Sequence, residues 1–181
     1  MVQEQWRKEL LEEIRTKAYQ EGEFRLASGA ISNYYIDCRK ITLSPAGWLI
    51  GKIMLEMVKD LKLDAVGGLT LGADPIIGAV TALSYETPTP LKGFIVRKEP
   101  KGHGTGSLIE GPLTPGDRVL IVDDVLTKGG SILKAIEAAE QAGCTVAKVI
   151  VIVNRKQGGD QLLLDKGYDF SAIFDIDDIR G

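Results

Sequence analysis

Strand-length apolar runs alternate with helical patterns along this chain, which predicts an α/β protein built on a parallel sheet with helices on both faces. Three observations carry the prediction. The runs at 64–69, 91–96, 118–122 and 145–153 are dominated by Val, Ile, Leu and Gly, as strands buried on both faces are. The stretches between them repeat their apolar residues at helical spacing. Finally, Val119–Ser131, VLIVDDVLTKGGS, ends an apolar run in Asp123 and Asp124, then turns through small residues into the helical pattern Ile132–Ala142. That is the order of a strand, a loop and a crossover helix.

In chain order, Trp6, Leu10, Ile14 and Ala18 recur every four residues and give a first helix one apolar face. This charged amphipathic start is not a signal peptide. Glu23–Leu26 and Tyr34–Cys38 read as short strands around a turn at Ser28-Gly29-Ala30. Ser44-Pro45 reads as a helix start, with Ser as cap, and the helix runs to about Leu61, burying Trp48, Leu49, Ile53 and Met57. Asp64–Leu69 is a strand, followed by a tight loop, Thr70–Pro75, and a helix through Ala82. Leu91–Val96 is another strand. Arg97–Gly111 lacks periodicity and reads as a long mobile loop with room for a short hairpin at its far end. Arg118–Val122 and Thr145–Val153 are strands flanking the helix that Gly143 ends; Gln161–Lys166 is a short helix and Tyr168–Phe174 the last strand. The acidic tail Asp175–Asp178 reads as a solvated surface segment.

Composition bounds the function. One domain spanning 1–181 is expected, and a net charge of −3 gives no general reason to expect nucleic-acid binding. No apolar run approaches the ~20 residues that span a membrane. Cys38 and Cys144 form no C-x-x-C pair and read as buried thiols of a cytoplasmic protein, and His103 is the single histidine, so no metal-ligand cluster is expected. Neither G-x-x-x-x-G-K-[ST] nor a G-x-G-x-x-G after a strand occurs, which leaves Walker-type and dinucleotide-binding readings without support.

Ligands of parallel sheets collect at the carboxyl ends of the strands, so the loops after Leu69, Val96, Val122 and Val153 are expected to share one crevice. In the loop after Val122, backbone N–H groups and a helix N-terminus can cradle a phosphate. Asp123 and Asp124 repel a phosphate, and suit the hydroxyls of a ribose diol instead. Together they point to a sugar phosphate. The loop after Val96 carries Arg97, Lys98, Lys101 and His103, cations suited to closing over a polyanion and neutralising a leaving group. In Thr70–Asp74, small residues allow close backbone approach to a ligand, and Asp74 also reads as a cap for the helix begun by Pro75. Arg155, just past a strand end, suits a carboxylate or an aromatic plane, with a plain surface arginine as the alternative.

Taken together, VLIVDDVLTKGGS, FRLASGAISNYYIDCRK (Phe24–Lys40), RKEPKGHG (Arg97–Gly104) and NRKQGG (Asn154–Gly159) resemble the type I phosphoribosyltransferase family, and within it the branch that uses orotate. The resemblance spans essentially the whole chain. It implies that family's fold, a central parallel sheet flanked by helices with a small N-terminal hood formed by about 1–40. It also implies transfer of ribose 5-phosphate from 5-phosphoribosyl 1-diphosphate to N1 of orotate, giving orotidine 5′-monophosphate and diphosphate in de novo pyrimidine synthesis. By the same resemblance Asp123 and Asp124 would hold the ribose hydroxyls, and the turn Val125, Leu126, Thr127, Lys128, Gly129, Gly130 and Ser131 the 5′-phosphate end. Arg97, Lys98, Lys101 and His103 would contact the diphosphate, with Lys101 most critical for turnover. Leu71, Gly72, Ala73 and Asp74 match the diphosphate-contacting loop. Arg155 would recognise orotate, with Tyr35, Ile36 and Thr127 beside it. Mg²⁺ would arrive held mainly by substrate oxygens, and a homodimer would share the catalytic loop between subunits. The chain departs from some members at Ala27, at Ala73-Asp74 and at Lys128. A phosphoribosyltransferase for another base, or a non-catalytic nucleotide-sensing regulator on the same fold, are the alternative readings.

Overall fold

The computed structural model describes residues 2–25, 31–99 and 108–181. Helix α1 (Val2–Glu13) runs into a π-helical turn, Ile14–Ala18, and then into a hairpin of β1 (Tyr19–Arg25) and β2 (Ile31–Ile36). Leu10, Ile14 and Ala18 are fully buried, as their spacing predicts. The expected turn at Ser28-Gly29-Ala30 lies outside the described residues. The short helix α2 (Arg39–Thr42) and α3 (Gly47–Met57) follow. The remaining elements are β3 (Ala65–Leu69), α4 (Asp74–Ser84), β4 (Lys92–Val96), β5 (Ile109–Glu110), β6 (Arg118–Leu126) and α5 (Gly130–Gln141). The chain closes with β7 (Thr145–Asn154), α6 (Gly159–Asp165), β8 (Phe170–Asp175) and α7 (Ile176–Arg180).

The central sheet has the order β5-β4-β3-β6-β7-β8, parallel except where β5 pairs antiparallel with β4. The far end of the long loop thus pairs back onto β4, rather than forming a hairpin of its own among the described residues. Side chains alternate across the sheet. Leu120 and Val122 of β6 join the core beneath α1, α3 and α4, whereas Val119 and Ile121 join the one beneath α5 and α6. Each such fully buried aliphatic residue contributes roughly 1.5–3 kcal/mol relative to exposure. Glycines let the central strands close up: a Cβ at Gly68 would stand 2.2 Å from the Val122 carbonyl oxygen.

Several expectations need correction. The apolar run of β6 stops at Val122, yet the strand continues to Leu126, because β7 keeps pairing with it through Asp123↔Val151 and Leu126↔Asn154. Helix α3 starts at Gly47 without a side-chain cap and stops at Met57, short of Leu61. The Ser44 hydroxyl donates to the Ile41 carbonyl and accepts from the Ala46 N–H at 3.2 Å, within the turn that precedes the helix. Trp48 is 47% exposed, set edge-on against Trp6 with ring centroids 5.7 Å apart. Asp74 is the first residue of α4, not its cap, and it accepts from the Thr70 hydroxyl at 2.8 Å. The acidic tail is structured: Asp175 and Asp178 form a capping box that starts α7, whose Ile176 and Ile179 are buried. Both cysteines are free and buried. No helix of the described residues is long and apolar enough to cross a membrane.

Candidate active site

At the carboxyl ends of the parallel strands lies an open cleft of about 340 Å³. Leu69, Thr70, Leu71 and Gly72 line one side, and Asp123, Asp124, Val125 and Ser131 the other, with Lys98 and Arg39 at the rim. Thr127, Gly129 and Gly130 line an adjoining hollow with Asp123 and Ser131, where Gly129 adopts φ +84° and opens α5. A left-handed residue there suits glycine, and it turns the chain so that the helix N-terminus faces the hollow. Lys128 is exposed beside it. Three of the four predicted loops therefore share one crevice.

The acid pair is the electrostatic centre of this cleft. Asp123 is 7% exposed, and its Oδ1 accepts from the Asp124 N–H at 2.9 Å. Burial, reinforced by the neighbouring Asp124 charge, pushes its carboxyl up to about 8. Burial also raises Asp124, whose Oδ1 accepts from the Val125 N–H at 2.8 Å. Burial and mutual repulsion thus make the pair harder to ionise than two isolated carboxyls. Cys38 lies buried nearby; burial and the surrounding carboxylates raise its thiol well above the ordinary range, which makes it inert. The loop after β3 passes directly over the acids: a Cβ on Gly72 would stand 2.8 Å from Asp124 Oδ1 and 2.9 Å from Asp123 Oδ1. Close backbone approach is thus achieved at Gly72, between exposed Leu71 and buried Ala73.

Arg97 and Asp74 sit one step away, in a second hollow that Thr70 and Lys98 join to the first. Arg97 pairs with Glu110 at 3.5 Å, across the β4–β5 edge. Lys101 and His103 lie outside the described residues. Arg155 does not line the cleft. It is 8% exposed, tucked under the hairpin, where Nε donates to the Tyr34 hydroxyl at 2.9 Å. Its backbone N–H bonds the Leu126 carbonyl, which sets it beside Thr127 at the end of β6. The surface-arginine alternative is overturned. Tyr35 and Ile36 lie on β2 of the same hairpin, Ile36 buried and Tyr35 half-buried.

Sequence reasoning missed Arg39, Ser32 and Tyr34. Arg39 reaches the cleft rim through α2, held bidentate by Asp37 at 2.7 and 3.0 Å, which keeps the Asp37 carboxyl below its usual range. Only the Asp37-x-Arg39 spacing hinted at that pair. The partners of Arg155 are 121 and 123 residues away, and no local signal carries them.

The phosphoribosyl transferase domain family matches residues 66–173, which hold the central strands and the acid pair. The orotate phosphoribosyltransferase of Rhodopirellula baltica is 47% identical over 172 residues, covering 91% of this chain and 89% of that protein. That of Aquifex aeolicus is 44% identical, covering 94% and 93%. The chain belongs to the orotate phosphoribosyltransferase family. A crystal structure of Mycobacterium tuberculosis orotate phosphoribosyltransferase with inorganic phosphate has the same fold, with a TM-score of 0.84, 35% identity, and coverage of 98% and 99%. The same enzyme in complex with 5-phospho-α-D-ribosyl 1-diphosphate matches with a TM-score of 0.78 and 32% identity, covering 97% and 92%. As an orotate phosphoribosyltransferase family member, the protein has the type I fold expected from its motifs, with the parallel sheet flanked by helices.

Proposed function

We propose that the protein transfers ribose 5-phosphate from 5-phosphoribosyl 1-diphosphate to N1 of orotate, forming orotidine 5′-monophosphate and diphosphate in de novo pyrimidine synthesis. The observation that carries this reading is the cleft itself, where the paired acids Asp123 and Asp124 stand beside a glycine turn opening a helix. In our reading the ribose diol hydrogen-bonds to Asp123 and Asp124, and the 5′-phosphate sits on the N–H groups and hydroxyls of Thr127–Ser131, with Val125 and Leu126 leading in. Both ends of the sugar are then held while the bond from C1′ to the diphosphate oxygen breaks and N1 of orotate attacks. The charge that develops falls on the departing diphosphate. Backbone at Leu71–Asp74, together with Lys98 and Arg97, faces that side, and Lys101 and His103 complete it from the loop. Arg155 recognises orotate beside Tyr35, Ile36 and Thr127.

Among the described residues no three carboxylate, imidazole or thiol groups converge to cage a metal. The acid pair nevertheless fits a cation held by substrate oxygens, since the nearby Arg39 is already committed to Asp37. When bound, Mg²⁺ supplies charge neutralisation on the diphosphate. We further read 1–181 as a single cytoplasmic domain, about 1–40 forming the hood, in a homodimer whose subunits exchange the Lys101 loop.

The reading is tested by following the orotate absorbance band with 5-phosphoribosyl 1-diphosphate and Mg²⁺ supplied. Progressive loss of the band is expected. Folded protein that leaves orotate unconsumed would refute it.

A further inference from the structure

We propose that Tyr34 and Ser32 are positioning residues that aim the Arg155 guanidinium at the base, an inference that rests on Arg155 being the orotate contact. Three contacts define the clamp. Arg155 Nε donates to Tyr34 Oη at 2.9 Å, Nη2 donates to Ser32 Oγ at 3.1 Å, and the guanidinium carbon lies 4.4 Å from the centroid of the Tyr34 ring. Both hydroxyls come from β2, so the hairpin sets the direction of a side chain rooted at the end of β7.

Proton bookkeeping sharpens the geometry. The Ser32 hydroxyl has one proton and donates it to the Tyr34 carbonyl at 2.7 Å, which leaves only lone pairs for Arg155. The Tyr34 hydroxyl accepts from Nε and keeps its own proton. Both partners are neutral, and among the described residues no carboxylate pairs with this guanidinium. Nη1 has no partner there. A buried cation oriented by hydroxyls keeps its charge for an incoming ligand, whereas a carboxylate partner would quench it. An acidic planar base such as orotate fits that demand. The clamp also fixes the fork of the guanidinium before the ligand arrives, which removes an ordering cost from binding.

The test measures KM for both substrates and kcat in Tyr34→Phe, Ser32→Ala and Arg155→Ala, with Tyr34→Phe also made in the Arg155→Ala background. Tyr34→Phe keeps the ring and removes only the hydroxyl. It is expected to raise the orotate KM about tenfold, with kcat and the 5-phosphoribosyl 1-diphosphate KM within about twofold of wild type. Ser32→Ala is expected to act in the same direction. In the Arg155→Ala background the Tyr34→Phe effect should vanish. An orotate KM raised by Arg155→Ala but unmoved by Tyr34→Phe would overturn the clamp and leave the base contact standing. A Tyr34→Phe effect that affects both substrates alike, or persists without Arg155, would overturn it in favour of a purely structural tyrosine. An orotate KM untouched by Arg155→Ala would remove the base contact itself, and the clamp with it.

Discussion

Asp123→Asn is expected to cost turnover by about 10²- to 10³-fold while making the empty protein more stable. The two effects share one cause. Asp123 is buried next to another acid, and its carboxyl is raised to about 8 from an unfolded value near 3.9. The folded state therefore binds this proton more tightly than the unfolded chain. That stabilising contribution is fully present below about pH 4 and is lost as pH rises through about 8. Asparagine is neutral, nearly isosteric, and can still accept from the Asp124 N–H, so it carries no such loss. The gap in melting temperature between variant and wild type should open from near zero at pH 4. By pH 7 it should reach at least ~1 kcal/mol, or about 2–4 °C for a chain of this size. Calorimetry across that range checks it. A variant less stable than wild type throughout, or a gap independent of pH, would contradict the electrostatic account of the pair.

Lys101→Ala is expected to lower kcat by about 10²- to 10³-fold with little change in either KM, because its charge is needed most while the diphosphate departs. Steady-state kinetics on both substrates give the answer, and an unimpaired variant would show that the loop has another role. Mixing this protein with an Asp124→Asn variant examines the proposed exchange of loops between subunits. Mixed dimers should recover activity, since one site then has both a working acid pair and a working lysine. No recovery would mean that each subunit is self-contained.

The contrast between these two residues also shows what is legible in a sequence. Asp123 and Asp124 stand out because paired acids rarely follow an apolar run, and Gly129 because a turn into a helix needs a residue tolerant of positive φ. The order of strands and helices from β3 to β8 is equally plain, since both faces of the sheet are covered and the strands are continuously apolar. Boundaries were harder. The acids look like the end of β6, yet ladder pairing with β7 carries the strand past them. The tail 175–178 looks solvated because its acids dominate, although two of them serve as a capping box for a helix that buries Ile176 and Ile179. Periodicity places Trp48 on the apolar face of α3 but cannot show that it stays half exposed, with Trp6 set edge-on against it and Lys52 over its ring. Arg155 was visible as a strand-end cation. Its seat was not, because Tyr34 and Ser32 reach it only through the tertiary fold.

The central claim is that this cleft delivers ribose 5-phosphate to orotate and to no other base. A single competition measures it: protein with 5-phosphoribosyl 1-diphosphate, Mg²⁺ and equal amounts of orotate, uracil, adenine and hypoxanthine, the nucleotide products being separated and identified. Orotidine 5′-monophosphate as essentially the sole nucleotide, matched mole for mole by diphosphate, is the predicted result. A nucleotide of another base in its place, or diphosphate released with no nucleotide formed, would contradict it.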